Sequence, residues 1–542
     1  MEENNKQWLP HLTGEIVSEI EGNFLDSYAV ALEGWRRGLK LKWHVKGSEK
    51  FKEMEVWSVD RPGQLFSLSS KEKTHYFFRS RGDAVSNEAV QVGRSKERTN
   101  AVLRDAGVPV PEGRNFGKES PDDELIQYAE MLGFPIVVKP TDGSFGRGVV
   151  SNIRSSGELA DALEHVRRTL GFMEVIIEKH IPGRDYRLYV VGNEVVAAMH
   201  RLPPNVTGDG ESTIRKLIRK KNALRKKNPR LISCPIGTDQ ETRNYLDRSG
   251  YTLKTIPAEG ETVFLNDKAN ISIGGDPIDA FDELSPQAKE TAVKAMKAVP
   301  GLTHGAVDMI IGTNEEAAGY VIELNPTAQL GGLLYPVKGQ ARDVPAAIID
   351  YYFPETRGLD IERAKIYFDF HDLLDPLQAR DAVVTTVTPP LEGKLHAKKY
   401  IVTGDVQNIG YHRGLRKQAF ERGLHGYVMN RDDDAIEVVV GGTDLEMVDD
   451  FEHGLWEDEE RAKIFEVIKE GYDGPIKVGF EIKTDLKTQL RELKALKKEL
   501  DMTEYERKKA EAENRKFHRS TSWKVTAPGR VAGGIIKRIR KR

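Results

Sequence analysis

Three polar residues in two segments of the sequence have the types and spacing of a divalent-metal site. Asp308 lies in the segment VDMI, and Glu323 and Asn325 lie in the later segment IELN. Residues two apart on a strand face the same side, so Glu323 and Asn325 point together. If the two segments pair as a hairpin, three oxygen ligands converge, which suits Mg²⁺ or Mn²⁺. A buried salt bridge is the alternative interpretation of the carboxylates.

A lysine and a glycine-rich loop in the segment KPTDGSFGRG follow a predicted strand and favour phosphate binding. Lys139 supplies positive charge, and glycines let backbone N–H groups approach a polyphosphate. The loop residues concerned are Gly143, Ser144, Gly146 and Gly148. The segment is not a Walker loop, because no GK[ST] follows it. A glycine-rich hairpin without a ligand is the plainer alternative.

The elements that must position these residues divide the chain of 542 residues into five parts. The predicted parts are an N-terminal α/β module (1–94), a central region of alternating helices and strands (95–355), a linker (356–393), a β-α-β-β-α-β unit (394–483) and a helical, basic tail (484–542). The β-α-β-β-α-β order, whose last strand is predicted at IKVGFEIK, is the ferredoxin-like arrangement. The expected fold class is therefore a multidomain combination of α/β and α+β.

Composition limits the classes of protein to which the chain can belong. Charged residues make up 30% and apolar residues 39%, and no apolar run approaches the ~18 residues needed to cross a bilayer. The first residues, MEENNKQWLPHLTG, have neither the basic nor the apolar part of a secretory signal. The one cysteine, Cys234, excludes an intramolecular disulfide and fits a reducing compartment. We therefore expect a cytoplasmic protein.

The tail differs from the rest of the chain in its charge. From Thr484 to Arg542 there are 18 Lys+Arg and 8 Asp+Glu. Five leucines on one helical face predict a coiled coil or a docking helix: Leu486, Leu490, Leu493, Leu496 and Leu500. The final segment, VAGGIIKRIRKR, suits either peripheral contact with an anionic membrane surface or a disordered basic end. The segment STSWKVTAPGR resembles one found in glycosyltransferases of bacterial surface polysaccharides.

Residues 95–355 resemble the ATP-grasp superfamily, most closely its cyanophycin synthetase and bifunctional glutathione synthetase branch. The segments that carry the resemblance are SKERTNAVLRDAGVPVPEG, VVKPTDGSFGRGV, IIEKHIPGRDYRLYVV, RLPPNVTGDGESTIRKLI and KANISIGG. The resemblance implies an ATP- and Mg²⁺-dependent ligase that joins a small-molecule carboxylate to an amine through an acyl phosphate. No nucleic acid partner is expected, and a homo-oligomer is left open.

The same resemblance assigns roles to individual residues. The implied nucleotide-binding residues are Lys96, Lys139, Gly143, Ser144, Gly146, Gly148, Glu178 and Asn270. Arg187 is implied in the active site, and Arg201 is implied to stabilise the transferred phosphate, beside the metal set already described. After Asn325 the chain continues PTAQLGG rather than with the Pro-Gly turn frequent in the family. The resemblance therefore does not imply which molecule is the acceptor. The insertion RKLIRKKNALRKKNPR holds nine basic and no acidic residues and would face either an anionic polymer or solvent.

Residues 394–483 resemble acylphosphatases across nearly the whole of that small domain. The segment VQNIGYHR resembles the phosphate-binding loop, and Asn430 matches the asparagine that orients water. His412 stands where the family has an arginine that grips phosphate with two parallel donors, and imidazole cannot make that fork. Two further interpretations of the whole chain stay open, an acylphosphatase-type hydrolase and a nucleotide-binding scaffold tied to cell-surface polymer synthesis.

Overall fold

The computed structural model describes residues 6–18, 20–141, 148–312, 318–358, 365–407, 409–457, 462–483, 497, 500, 502–504 and 506–511. They divide into two compact units, Met1–Leu395 with Asp473–Val478 and His396–Tyr472 with Gly479–Arg542. Several predicted features lie outside the described residues: Gly143, Ser144, Gly146, the leucines Leu486, Leu490, Leu493 and Leu496, and the basic end of the tail.

The first unit opens with a small sheet and three helices. Its first elements are β1 (Lys6–Gln7), α1 (Asn23–Arg36), β2 (Lys40–His44), β3 (Leu65–Ser69), β4 (Thr74–Phe78), β5 (Arg81–Gly82), α2 (Asn87–Arg94) and α3 (Lys96–Asp105). Helix α1 is buried along most of its length because α10 (Val344–Tyr352) and β3 pack against it. Side chains of Ser86 and Ser95 cap α2 and α3 by accepting a backbone N–H in the first turn.

The central region continues the first unit with two larger sheets and a two-stranded one. Up to the second sheet its elements are β6 (Gly113–Phe116), α4 (Asp122–Leu132), β7 (Ile136–Pro140), β8 (Val150–Ile153), α5 (Ser156–Leu163), β9 (Val175–Lys179), β10 (Arg184–Val191), β11 (Glu194–Leu202), β12 (Asn205–Thr207), α6 (Ile214–Arg225), α7 (Gln240–Arg248), β13 (Thr262–Phe264), β14 (Asp276–Asp279), α8 (Pro286–Ala298), β15 (His304–Ile311) and β16 (Tyr320–Asn325). The elements that follow are α9 (Gly331–Leu334), β17 (Gly339–Gln340), α10, β18 (Ile366–Tyr367), α11 (Phe370–Gln378) and β19 (Val384–Thr386). Short 3₁₀ or π turns occupy Glu49–Phe51, Glu164–Thr169, Ile271–Ile273 and Pro354–Thr356.

Two sheets of the central region carry most of the predicted site residues. One has the strand order β6–β9–β7–β8, and the other has the order β14–β11–β10–β15–β16 with antiparallel neighbours throughout. Successive residues of a strand face opposite sides. Leu188 and Val190 of β10 therefore pack with the alanines of α8, whereas Arg187 and Tyr189 face the other way. One face of this sheet is therefore packed against α8, and the opposite face carries the polar side chains of the predicted site.

Residues 356–393, predicted to be a linker, contain regular structure that belongs to the first unit. Strand β19 pairs antiparallel with β2 and completes the five-stranded sheet β19–β2–β3–β4–β5. Phe370 and Leu374 of α11 are buried in the same core as α1. The linker interpretation is wrong here, because long-range packing orders a segment whose local composition suggests a connection.

The second unit is a five-stranded sheet covered by two helices. Its elements are β20 (His396–Asp405), α12 (Ile409–Glu421), β21 (His425–Asn430), β22 (Ile436–Gly442), α13 (Leu445–Trp456), β23 (Lys463–Gly471) and β25 (Phe480–Lys483), while β24 (Ile476–Lys477) pairs with β18 in the first unit. The sheet order is β23–β20–β22–β21–β25. The ferredoxin-like arrangement is therefore present, with one strand added parallel to β21.

The fourth strand of this arrangement was assigned to the wrong segment from sequence. The segment IKVGFEIK was expected to supply it, but β23 pairs with β20 in that position, and the expected segment is split between β24 and β25. Strand β23 is at the edge of the sheet and mostly exposed, and its Phe465 is 70% exposed. An exposed edge strand lacks the alternating apolar pattern that marks a half-buried one.

A buried histidine predicts how the stability of the first unit depends on pH. His304 is fully buried, with Nδ1 3.2 Å from the Tyr189 hydroxyl and Nε2 3.1 Å from the Tyr352 hydroxyl. Burial lowers the pKa of His304 to about 3. The unfolded chain binds a proton here below about pH 6.5 and the folded chain does not, so stability is lost as pH falls from 6.5 towards 3.

We expect His304→Gln to flatten this pH dependence. Between pH 6.5 and 4 the free energy of unfolding of the wild type should fall more steeply, by up to about 1.4 kcal/mol per pH unit. Urea unfolding at several pH values measures both slopes. The exposed His165, replaced in His165→Gln, is the control. Equal slopes for the wild type and His304→Gln would contradict the prediction.

Candidate active site

Charged residues form a row across the polar face of the central sheet. Arg187 on β10 lies directly opposite Asp308 on β15, and Asp308 lies directly opposite Glu323 on β16. Residues opposite each other on antiparallel strands share a face and bring their side chains together. Asn325 is two residues beyond Glu323 and opposite Ala306, so it extends the row along β16. The hairpin expected from sequence thus places the three predicted metal ligands on one face.

Two arginines hold the Asp308 carboxylate. The Arg187 Nε and Nη2 atoms donate to its two oxygens at 2.7 and 2.9 Å, and Arg201 Nη2 lies 3.1 Å from Oδ2. Burial by itself raises the pKa of Asp308, but the two guanidinium charges outweigh it and lower the pKa to about 2. A buried charge is stable only when paired, and this one has a two-pronged partner.

Glu323 has the opposite electrostatic environment. Burial raises its pKa, and the neighbouring Asp308 charge raises it further, against the effects of Arg187 and Lys96. Two adjacent carboxylates and an amide oxygen form a set of hard oxygen donors, which suits Mg²⁺ or Mn²⁺ completed by phosphate and water. The oxygens of Glu323 and Asn325 fit such an ion. Asp308 could be a third ligand, but its carboxylate is also paired with Arg187 and Arg201.

A second buried ion pair lies on the four-stranded sheet. Lys139 on β7 and Glu178 on β9 are each only 4% exposed, and Nζ lies 2.6 Å from Oε2. Lys139 is opposite Ile176 and Glu178 is opposite Val137, so the two side chains meet diagonally on one face. Glu178 was expected to face the nucleotide, and here it neutralises Lys139 while its Oε2 accepts no well-aligned hydrogen bond.

The remaining nucleotide-binding residues predicted from sequence lie where helices, turns or strands begin. Lys96 is the first residue of α3, and Asn270 precedes the turn Ile271–Ile273. Gly148 has a φ of +76°, and a Cβ there would lie 2.8 Å from Pro140 Cγ. Glycine is therefore required where the predicted phosphate loop rejoins β8.

One cavity of about 1210 Å³ joins these parts, and it is lined by nine of the predicted residues. These are Lys96, Lys139, Glu178, Arg187, Arg201, Asn270, Asp308, Glu323 and Asn325. Its cationic side chains outnumber its acidic ones by ten to five: Arg79, Arg94, Lys96, Lys139, Lys179, Arg184, Arg187, Arg201, Arg230 and Lys268 against Glu178, Asp185, Asp267, Asp308 and Glu323. Its volume exceeds that of most single-ligand pockets, and its excess of positive charge suits polyphosphate.

Sequence reasoning missed Asp185, which also lines the cavity. Its Oδ1 accepts a hydrogen bond from Arg201 Nε at 2.5 Å, so Arg201 bridges two carboxylates. Asp185 precedes Arg187 by two residues and therefore shares its face of β10. That alternation was visible in the segment GRDYRLYV.

The basic insertion is divided between internal and exposed charges. Lys221 and Arg225 of α6 bind Asp276, and Arg230 donates to Cys234 Sγ and Gln329 Oε1. Six other basic residues are exposed: Arg215, Lys216, Arg219, Lys220, Lys226 and Lys227. The insertion thus has a structural role on one face, and the predicted contact with an anionic polymer stays a prediction for the other.

The second unit has its own cluster of unsatisfied polar atoms. His412 lies in the first turn of α12 and is 4% exposed, and its Nε2 has no hydrogen-bond partner among the described residues. Asn430, at the end of β21, has a buried Oδ1 that accepts no hydrogen bond from the described part of the chain. Gln407 Nε2 donates to the carbonyl oxygens of Arg431 and Ala435 and so ties the loop before α12 to the end of β21. Burial lowers the pKa of His412, so its imidazole is neutral at pH 7.

The described part of the chain lacks two other types of feature. The described residues contain no group of three or more His, Cys, Asp or Glu side chains placed to share a metal ion. Among the helices of the same described residues, none combines the length and apolar character required to span a membrane.

The Lys139–Glu178 pair predicts a non-additive effect on stability. Lys139→Met should lower the free energy of unfolding by about 3–5 kcal/mol, since it leaves a buried carboxylate without its partner. The double variant Lys139→Met/Glu178→Gln should recover most of that loss. Urea unfolding without nucleotide measures the cycle.

The exposed pair of Lys52 and Glu49 provides the matched control. Lys52→Met should change the free energy of unfolding by less than about 1 kcal/mol. Equal losses in the single and double variants at position 139 would show that the buried pair is not coupled.

Two family models match the chain. The model described as a RimK-like ATP-grasp domain matches residues 93–215, and the acylphosphatase model matches residues 398–482. The first match contains the Lys139–Glu178 pair, Arg187 and Arg201. The second contains His412 and Asn430.

Comparison with individual proteins gives partial matches. A cyanophycin synthetase of Trichormus variabilis is 35% identical over 272 residues, which cover 49% of this chain and 30% of that protein. The glutathione biosynthesis bifunctional protein GshAB of Clostridium perfringens is 33% identical over 307 residues, covering 54% and 38%. A solved structure, the bifunctional glutathione synthetase of Pasteurella multocida, is 27% identical with a TM-score of 0.42, covering 54% of this chain and 41% of that one.

The matched part therefore spans only 30–41% of the length of these relatives. The RimK-like match at residues 93–215 contains the four-stranded sheet with Lys139 and the strands β10 and β11, whereas Asp308 and Glu323 lie beyond it. The expected fold class, α/β and α+β in several domains, is confirmed by these matches and by the sheets themselves. The chain is a fusion of an ATP-grasp region with a C-terminal acylphosphatase-like domain.

Proposed function

We propose that the first unit is an ATP-dependent ligase that joins a carboxylate to an amine through an acyl phosphate. The observation that carries this proposal is the arrangement of Arg187, Asp308 and Glu323 in one row on the face of a cavity that also contains Lys139. Phosphoryl transfer is catalysed mainly by positioning and by neutralising charge. The row of side chains can position the phosphoryl group, and the twofold excess of cationic over acidic side chains in the cavity can neutralise its charge.

Each residue has a role that follows from its contacts. Lys139 lies at the phosphate end, where an incoming phosphate competes with Glu178 for its ammonium group. Arg201 keeps N–H donors beyond the two it directs at Asp185 and Asp308, since a guanidinium has five. Those donors are available to the oxygens of a transferring phosphoryl group. Asp308 holds both arginines in place before the substrate arrives, which lowers the cost of ordering them.

A divalent cation would be held by Glu323 and Asn325, with Asp308 as the third oxygen donor. When bound, Mg²⁺ neutralises phosphate charge and orients the γ-phosphoryl group. Glu323 suits this role because burial and the Asp308 charge both disfavour its ionised form until a cation is present. The substrates are then a small-molecule carboxylate and an amine, as expected from the sequence.

The Glu323→Gln variant tests the metal site. We expect ADP release that requires a carboxylate and an amine to fall by more than about 100-fold, because several kcal/mol of charge stabilisation in the transition state is lost. Nucleotide-dependent Mn²⁺ binding should weaken in parallel. A coupled ADP assay over a library of carboxylates and amines, with Mn²⁺ titrations, measures both.

Glu283→Gln is the matched control, because Glu283 is exposed and does not line the cavity. It should keep wild-type turnover and Mn²⁺ affinity. ADP release from the wild type that needs no amine would refute the ligase reaction. Wild-type turnover by Glu323→Gln would refute the metal site.

A second function is proposed for the second unit, the binding of an acyl phosphate with weak hydrolysis. The observation in its favour is that His412 Nε2 and Asn430 Oδ1 are both buried and have no hydrogen-bond partner among the residues that the structure describes. The two residues lie on elements that Gln407 ties together. Buried polar atoms without partners are rare in folded proteins and favour a ligand. A neutral imidazole offers one donor, which is a weaker grip on phosphate than an arginine fork.

We expect His412→Arg to raise the hydrolysis of benzoyl phosphate by the full chain about tenfold or more. The gain comes from a charge-assisted hydrogen bond to phosphate, which is worth about 1.5–3 kcal/mol. Phosphate release at pH 7 without ATP measures it. His453→Arg, which replaces an exposed histidine of α13, should leave the rate unchanged.

The dependence of the wild-type rate on pH gives the contrary outcome. Burial lowers the pKa of His412, so a protonated imidazole appears only below the ordinary value of about 6.5. A wild-type rate that is already high and climbs as pH falls below 6.5 would mean that protonated His412 replaces the arginine. The hydrolase would then be the main function of this unit.

A further inference from the structure

One end of the large cavity is formed by residues outside the charged row. Its lining includes Asn23 of α1, Ser58 and Arg79 from the N-terminal sheet region, and Arg230 and Gln329 from the central region. Gln329 is four residues after Asn325, so this end lies within about 14 Å of the proposed metal site along the backbone. The same cavity thus has a phosphate-transfer region and a second polar region.

Arg230 is a buried guanidinium with incomplete hydrogen bonding. It is 6% exposed, Nη1 donates to Cys234 Sγ at 3.2 Å and Nη2 donates to Gln329 Oε1 at 2.7 Å. Its Nε is buried and has no hydrogen-bond partner in the described part of the chain. Within the described part of the chain, no Asp or Glu side chain forms an ion pair with it. A buried charge without a counter-charge in direct contact is costly, which favours an anionic ligand.

Arg79 approaches the same end from the N-terminal sheet. Its Nε donates to Gln64 Oε1 at 2.7 Å, and Nη2 is 3.4 Å from the Ser58 carbonyl oxygen. Partial burial lowers its pKa. Among the described residues it too has no acidic partner in ion-pair contact. Its φ of +57° is unusual for a residue with a side chain, and such strain is most often kept where the position has a function.

The two arginines lie near one shared carboxylate. Asp26 is 2% exposed, its Oδ1 accepts the Leu330 N–H at 2.8 Å, and burial raises its pKa to about 6 while Arg230 and Arg79 oppose that rise. Both guanidiniums therefore lie close enough to act on it. One carboxylate that touches neither arginine leaves one positive charge uncompensated at neutral pH.

Five of the eight other cations of the cavity differ in this respect. Those with an acidic partner within the described residues are Arg94, Lys139, Arg187, Arg201 and Lys268. Arg79 and Arg230 instead bind neutral groups, as Lys179 also does, and each guanidinium has more N–H donors than these contacts use. Two planar guanidiniums match a carboxylate, since each offers parallel N–H donors to its oxygens.

We propose that this end of the cavity is a subsite for the non-reacting carboxylate of a dicarboxylate substrate, held by Arg79 and Arg230. The other carboxyl group of that substrate extends towards Glu323 and Asn325, where the proposed ligase would activate it. The proposal that the bound dicarboxylate is a substrate rests on the proposed ligase function. The proposal that a carboxylate binds here rests only on the contacts of Arg79 and Arg230.

Calorimetric titration of the full chain without nucleotide tests this proposal, with glutarate as the dianion and butyrate as a monoanion of similar length. We expect the wild type to bind glutarate at least about tenfold more tightly than butyrate. Arg79→Gln should remove that difference, because a charge-assisted fork to the second carboxylate is lost. Arg79→Lys should be intermediate, since an ammonium keeps the charge without the fork.

Arg61→Gln is the matched control, an exposed arginine of the same module outside the cavity. It should bind glutarate as the wild type does. Equal affinities of the wild type for glutarate and butyrate, no binding of either, or unchanged glutarate affinity in a folded Arg79→Gln would overturn the subsite. Because the titration contains no ATP, glutarate binding without amine-dependent ADP release would refute the ligase and leave the subsite standing.

Discussion

The ion pairs that join Asp308 to Arg187 and Arg201 are the interaction on which the site depends. A carboxylate buried on a sheet face needs compensating charge, and the register of β10 and β15 brings Arg187 directly opposite it. Arg201 arrives from the next strand and is also held by Asp185. Satisfying one buried anion therefore positions two guanidiniums at the wall of a cavity before any phosphate is present.

Charged side chains that line the cavity differ in whether an anionic ligand must displace an internal acidic partner in order to bind. Lys139 and Glu178 neutralise each other at 2.6 Å, so nucleotide must compete with an internal partner. Among the described residues, Arg79 and Arg230 contact neutral acceptors, so an anion at their end of the cavity would gain a partner without displacing one. In the second unit, burial keeps His412 neutral, and no described residue hydrogen-bonds to its Nε2.

Local patterns predicted most elements but failed where long-range contacts decide. The hairpin that holds Asp308 and Glu323 followed from strand alternation alone. Strand β19 lies inside the segment that was predicted to be a linker. It could not be predicted from local sequence, because its pairing partner β2 is more than three hundred residues earlier in the chain. Strand β23 was missed because an exposed edge needs no alternating apolar pattern.

The sequence by itself determined the types and spacing of the charged residues, since strand periodicity sets which side chains share a face. The segment GRDYRLYV determined that Asp185 and Arg187 point together, and IELN did the same for Glu323 and Asn325. Only the tertiary structure decided which charges are paired. Pairing depends on which strands become neighbours and on how deeply each group is buried, and both are set by contacts between residues far apart in the chain.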